Sequence, residues 1–250
     1  MGRTATLFLT FLFVLTSMTG CISEQPIENG IELVVESEAT NGTLVQVYSE
    51  GELISNSTLK IGFDFSKTSA DNTLVSFGID PLDGREPIVV DAGSETEVEV
   101  EFFYHGIYNV TAFAVDENGR QQSNSISIRI ELRIEWTESN TNEPEILTFY
   151  PQPMNGGPYP SMIEVYSIIE NPNLLEDLGG GSEPVQVTWN IIDELDDVCQ
   201  RKTTQIQDGE TEYWNTIHFN TFQVHDLSIT VDDSQERVSI DQSVTILYQS

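Results

Sequence analysis

Three short acidic groups carry most of the chemistry this 250-residue chain could do. Asp193-Glu194 with Asp196-Asp197, Asp232-Asp233, and Asp80 with Asp83 fall between strand-like stretches. Carboxylates on such loops can ligate Ca²⁺ at about 2.3–2.6 Å, and Asp193, Asp196 and Asp197 are the candidates for a weak site. None of the groups has EF-hand spacing. With 41 Asp and Glu, chance clustering is expected, so solvated loops are the simpler reading, and no other cofactor is expected. Three histidines, His105, His218 and His225, leave a Ser-His-Asp triad formally open. However, His105 and His225 each precede a late strand in corresponding parts of the two halves, which marks a structural habit. There is no G-x-S-x-G, H-E-x-x-H, phosphate loop or C-x-x-C, so no catalytic residue is assigned and no enzyme is expected. Cys199 is read as a small buried apolar residue, with a reactive thiol as the alternative. Asn41-Gly42-Thr43, Asn56-Ser57-Thr58 and Asn109-Val110-Thr111 are N-glycosylation sequons. Alternation turns Tyr108, Val110, Ala112 and Ala114 inward and Asn109 outward.

The first 21 residues set the address. Arg3 supplies a positive start, Ala5 to Leu15 an apolar run, and Ser17 to Gly20 small or flexible residues before Cys21. That order is a secretory signal peptide over residues 1–20. Met18-Thr19-Gly20-Cys21 resembles the lipobox of bacterial and archaeal lipoproteins. The resemblance implies that Cys21 is lipidated, becomes the new N-terminus and holds the protein to the outer face of the cell membrane. The alternatives are retention of the segment as an uncleaved anchor and plain secretion. The strongly apolar part is nearer a dozen residues than the roughly 20 that span a bilayer.

Formal net charge is −31, with only ten Lys and Arg. No basic stripe exists to neutralise phosphates, which excludes nucleic acid as a partner. Membrane contact is expected through the lipid anchor alone, because an acidic surface gains nothing from anionic headgroups. Such a surface suits salty surroundings.

Residues 21–30 read as the lipidated Cys and a tether. From Ile31 the chain is strand after strand, with turn residues such as Asn41-Gly42, Asp83-Gly84 and Asn118-Gly119 between. No stretch holds helical spacing, so the fold class is all-β. A Pro/Gly-rich break at 151–160 precedes a second run of strands, and Asn171 to Glu183 reads as a long exposed loop. The halves are alike: Val75 to Ile79 parallels Val187 to Ile191, and Phe113 to Gly119 parallels Ile229 to Gln235. Short strands at this spacing predict two tandem immunoglobulin-like β-sandwiches, residues 31–135 and 136–250, with Phe77 and Trp189 as core plugs.

The stretch from about Leu59 to Leu132 resembles a PKD domain. Asp64 to Asp71 match that family's Ser-rich Asp loop, Phe77 its aromatic, and Asp83-Gly84 its turn. Tyr104-His105-Gly106 to Val110 match the approach to the last strands, and Asp116 to Gly119 the acidic turn. A Trp-Asp-Phe-Gly-Asp-Gly run is replaced by Phe77 to Leu82. The resemblance implies a spacer or binding module of surface proteins. The expected function is therefore a non-enzymatic, lipid-anchored surface protein with a protein or carbohydrate partner outside the cell. The alternative is an accessory subunit of a membrane-bound transporter or secreted-enzyme complex. A hydrolase using loop carboxylates is the third reading.

Overall fold

The computed structural model describes residues 30–172, 184–232 and 237–249. The expected signal segment, Cys21, the tether before Gly30, residues 173–183 of the long loop, and Asp233 lie outside the described residues. Those residues hold eighteen strands and no α-helix. The first half contains β1 (Ile31–Glu32), β2 (Glu36–Ser37), β3 (Asn41–Ser49), β4 (Glu52–Asn56), β5 (Leu59–Asp64), β6 (Ser69–Ala70), β7 (Leu74–Asp80), β8 (Ile88–Asp91), β9 (Glu97–Phe102) and β10 (Gly106–Asp116). β11 (Gln121–Thr141) runs across the middle of the chain. The second half adds β12 (Leu147–Phe149), β13 (Met162–Glu170), β14 (Val185–Asp193), β15 (Val198–Ile206), β16 (Thr211–His218), β17 (His225–Val231) and β18 (Val238–Leu247).

Alternating apolar residues bury one face of these strands and leave the other in water. In the first half β8-β7-β10-β11 form one sheet, extended by β3 and β4, and β2-β5-β9 form the facing sheet. β5 beside β9, β7-β10-β11 together, and β3 parallel to β11 give the strand order of an immunoglobulin sandwich. In the second half β16-β13-β18-β11 face β12-β17-β14-β15. The sandwich and the all-β class are as expected. The two halves differ in their outer strands: β18 lies between β11 and β13, not beside β17, and β12 takes the edge of β17. Eight antiparallel strands in this order make a jelly roll. The parallel seen in the sequence survives at the centre, where Phe77 on β7 faces Ala114 on β10 and Trp189 on β14 faces Ile229 on β17. Both aromatic plugs are buried.

β11 belongs to both sandwiches. One edge carries β10 along residues 121–130 and then β18 from Leu132 to Thr141, while β3 runs along the other edge from Arg129 to Thr137. Ile128, Ile130, Leu132, Ile134 and Trp136 form one unbroken buried row. Positions 135 and 136, the expected division of the chain, are therefore neighbours within one continuous strand. At about 3.3 Å per residue its 21 residues span roughly 70 Å. Gly30 lies against Arg120, at the start of β11, whereas the second sandwich is built on its end.

Beside the meeting point of β10 and β18, Gly106 has φ 152°, and a Cβ there would come within 2.7 Å of the Asn155 side chain. Only glycine fits that turn. Next to it the buried His105 ring shares a 2.7 Å hydrogen bond with Tyr248 Oη, joining the two halves. Burial pushes His105 down to about 4 from its ordinary 6.5, and the backbone of Tyr150 offsets only part of this. The unfolded chain then binds a proton that the folded one refuses between about pH 6.5 and 4. The contribution of this site to stability is complete above 6.5 and falls as pH drops through that window. Replacing His105 with Gln should remove about 1–2 kcal/mol of the loss between pH 7 and pH 5. Urea denaturation of both proteins at the two pH values measures it; identical pH slopes would refute it.

Candidate functional site

Register across the second sandwich arranges its outer face row by row. Tyr213, Ile168, Asp241 and Thr137 form one row; Asn215, Tyr166, Ser243 and Glu135 the next; Ile217, Glu164, Thr245 and Arg133 the third. Aromatic and apolar groups gather on β16 and β13, and hydrogen-bonding groups on β18 and β11. Tyr213 is 53% exposed and Tyr166 41%, with ring centroids 6.4 Å apart and planes 34° from parallel. Trp214, between Tyr213 and Asn215, points the other way into the core.

The inner side of the same strands holds a second group. Even positions of β16 face inward, so His218 ends β16 beneath the sheet in line with Trp214. His225 opens β17 opposite Asp193, the last residue of β14. Cys199 lies just past the β14–β15 turn, near the start of edge strand β15. It is exposed, not buried as expected: the register shift between Ile191 and Ile192 leaves Cys199 as the extra residue of a bulge on edge strand β15. One ligating atom each from Cys199, His218 and His225 lie within 4.8 Å of one another. The imidazole rings meet edge to face, centroids 4.6 Å apart.

Hydrogen bonding fixes part of this chemistry. His225 Nε2 is 2.8 Å from the Asn220 carbonyl oxygen, which can only accept. Nε2 therefore carries a proton, and Nδ1 is the ring nitrogen left for another partner. His225 Nδ1 and His218 Nε2 are both buried and without a hydrogen-bond partner. Burial, with His225 beside it, pushes His218 down to about 4, and Asp193 offsets only part of that. The imidazole is neutral at pH 7. Burial, reinforced by Asp193 and Asp197, pushes the Cys199 thiol up, so by itself it is a poor nucleophile.

Several of the acidic residues singled out in the sequence are held by hydrogen bonds. Asp193 Oδ1 accepts the amides of Leu195 (2.9 Å) and Asp197 (3.1 Å), and Asp196 sits at φ 64° in the same tight turn. Asp83 is clamped by Arg85, Asp80 caps the Leu82 amide, and Asp232 accepts from Gln186. Among the described residues, Cys199, His218 and His225 are the group of metal-capable side chains that converges. Asn41, Asn56 and Asn109 are all exposed, with Asn109 outward on β10 as alternation requires.

The chain matches no family model and no curated protein in sequence. Among solved structures it is similar to a carbohydrate-binding module of the β-sandwich superfamily, at 10% identity and TM-score 0.33 over 90% of this chain and 95% of that one. It is also similar to the fibronectin(III)-like modules of Clostridium thermocellum CbhA, at 13% identity and TM-score 0.26 over 86% and 94%. A third likeness is Bacteroides ovatus SGBP-B in complex with a mixed-linkage heptasaccharide, at 10% identity and TM-score 0.23 over 83% and 52%. Superpositions this loose carry no argument about ligand or activity.

Proposed function

We propose that the chain is a non-enzymatic, lipid-anchored surface protein that binds neutral polysaccharide on the outer face of β16-β13-β18. The observation that carries this reading is the exposed Tyr166–Tyr213 pair. Two large rings left in water on the outer face of the sheet, flanked by Asn215, Ser243, Glu164 and Glu135, offer stacking surfaces with hydrogen-bonding groups alongside. A sugar ring has the same two-sided character: apolar C–H faces and a polar rim. The net charge of −31 repels acidic glycans and favours neutral ones.

Residues 31–135, the PKD-like half, are the spacer in this reading, and residues 136–250 the binding half. Cys21 moors the chain to the cell membrane on its extracellular side. The tether would enter near the start of β11, and the tyrosine pair lies level with residues 135–137. Roughly 50 Å of continuous strand separates the binding face from Gly30, where the described chain begins. Glycans at Asn41, Asn56 and Asn109 would clothe the spacer half only.

Affinity electrophoresis through soluble mixed-linkage glucan, xylan and mannan tests the proposal. Retardation by at least one polymer is expected, with loss of roughly thirtyfold in affinity, about 2 kcal/mol, in Tyr166→Ala and in Tyr213→Ala. Both positions are exposed, so the variants should fold. Unretarded wild-type migration, or retardation unchanged in the double variant, refutes carbohydrate binding at this face.

A further inference from the structure

We infer that Cys199, His218 and His225 form a zinc(II) site at the end of the second sandwich, with Asp193 as the fourth ligand. The first support is convergence: three side chains from β15, β16 and β17 bring ligating atoms within 4.8 Å of one another. Zinc takes thiolate at about 2.3 Å and imidazole at about 2.0–2.1 Å, so the donors need only draw in by about an ångström. Asp193 Oδ2 lies 3.9 Å from Cys199 Sγ, while Oδ1 is the oxygen that holds the turn amides. Asp193 stands outside the three converging residues; drawn in beside the cysteine, it would complete a set of one sulfur, two nitrogens and one oxygen.

The second support is independent of the cysteine. His218 is 6% exposed and His225 1%, yet each keeps one buried ring nitrogen without a partner. Buried polar atoms are nearly always satisfied, and a native exception calls for an explanation. The two rings meet edge to face with centroids 4.6 Å apart, and a cation held by both would satisfy the two unpartnered nitrogens at once. The Asn220 carbonyl holds His225 Nε2–H, the outer contact that orients a metal-binding imidazole. Because Cys199 is exposed, an ion can enter from solvent without opening the core. The mixture of thiolate, imidazole and carboxylate suits zinc better than Ca²⁺ or Mg²⁺, which take oxygen. The tyrosine face lies on the opposite side of the sheet, so the two readings fail independently.

The test is equilibrium dialysis of the purified full chain against zinc chloride, followed by metal analysis, with Co²⁺ as spectroscopic probe. One zinc per chain is expected, and Co²⁺ should give thiolate charge-transfer absorption with the intense visible bands of a tetrahedral site. Altering an outer contact to a metal ligand commonly costs 10–100-fold in affinity. Loss of a ligand in Cys199→Ser or His225→Gln should therefore weaken zinc by at least about a hundredfold. Cys199→Ser should also abolish the charge-transfer band while far-ultraviolet circular dichroism is unchanged. Its exposed position makes it the variant least able to disturb folding. No retained zinc in the wild type, a cobalt spectrum without sulfur character, or unchanged zinc binding by Cys199→Ser each overturns the assignment.

Discussion

Leu132→Pro is expected to unfold both sandwiches together, in one transition. Leu132 is the position of β11 where the first sandwich hands over to the second. It faces Ile246 on one edge and Leu44 on the other, and its side chain is buried. Proline there removes a ladder donor whichever edge the amide serves, and inside a sheet proline is found essentially only on edge strands or at bulges. Loss of the leucine packing adds about 2 kcal/mol. That packing loss alone is a large fraction of the about 5–15 kcal/mol by which folded domains are stable, and the lost ladder bond comes on top of it. Calorimetry should give one endotherm for the parent and one, far lower or absent, for the variant. A surviving transition at the parent temperature would mean that the sandwiches fold independently and that β11 is only a linker. The same logic predicts that cutting between residues 135 and 136 strands half of a buried row on each fragment.

That junction shows where the sequence could be read and where it could not. The run Ser125 to Trp136 announces a strand by strict alternation, and the face it buries is the one alternation names. Nothing in that run says that two sandwiches share it, because alternation reports only which face is dry. Strand partners are set by packing far along the chain. The displaced position of β18 was hidden for the same reason: any strand with one apolar face fits beside β13 or β17, and only the loops decide. Short edge strands such as β4, β8 and β12 carry too few residues to show a period. Asn109 outward and Phe77 and Trp189 inward were legible, since each rests on local periodicity. Phe113, outward against the trend, is explained by Gly78 opposite it: a Cβ on that glycine would sit 2.3 Å from the Phe113 ring, which lies over the bare backbone.

The chemistry was less visible than the fold. Asp193, Asp196 and Asp197 attract attention because they are adjacent, yet adjacency is what turn-capping carboxylates also produce. Cys199, His218 and His225 are separated by 19 and 7 positions, with no metal-ligand spacing to flag them. Only β15 lying against β16, with Gln200 reaching the Ile217 carbonyl at 2.9 Å, brings the cysteine to the histidines. The similar placement of His105 and His225 before late strands was a real signal of position, but the two rings are used differently. His105 spends Nδ1 on Tyr248; His225 keeps its Nδ1 unspent.

Trp189→Ala should be the most damaging single truncation in the second sandwich. The indole is fully buried on β14, 6.2 Å from the Trp214 ring, and Lys202 Nζ stands 5.3 Å from its centroid. Its Nε1–H donates to Ser167 Oγ of β13 at 2.8 Å, a bond that crosses from one sheet to the other. Truncating a core tryptophan costs about 3–5 kcal/mol through lost transfer energy and the cavity left behind. The Ser167 hydroxyl, wholly buried, would lose its partner as well, adding about 1 kcal/mol or more. Urea denaturation separates the two parts. Trp189→Phe keeps most of the volume and should lose mainly the hydrogen bond, about 1–2 kcal/mol, with much of that recovered by Ser167→Ala in the same chain. If Trp189→Phe is as destabilised as Trp189→Ala, volume is not what this plug supplies. If Ser167→Ala rescues nothing, the cross-sheet bond contributes little, and the plug acts through packing in the core.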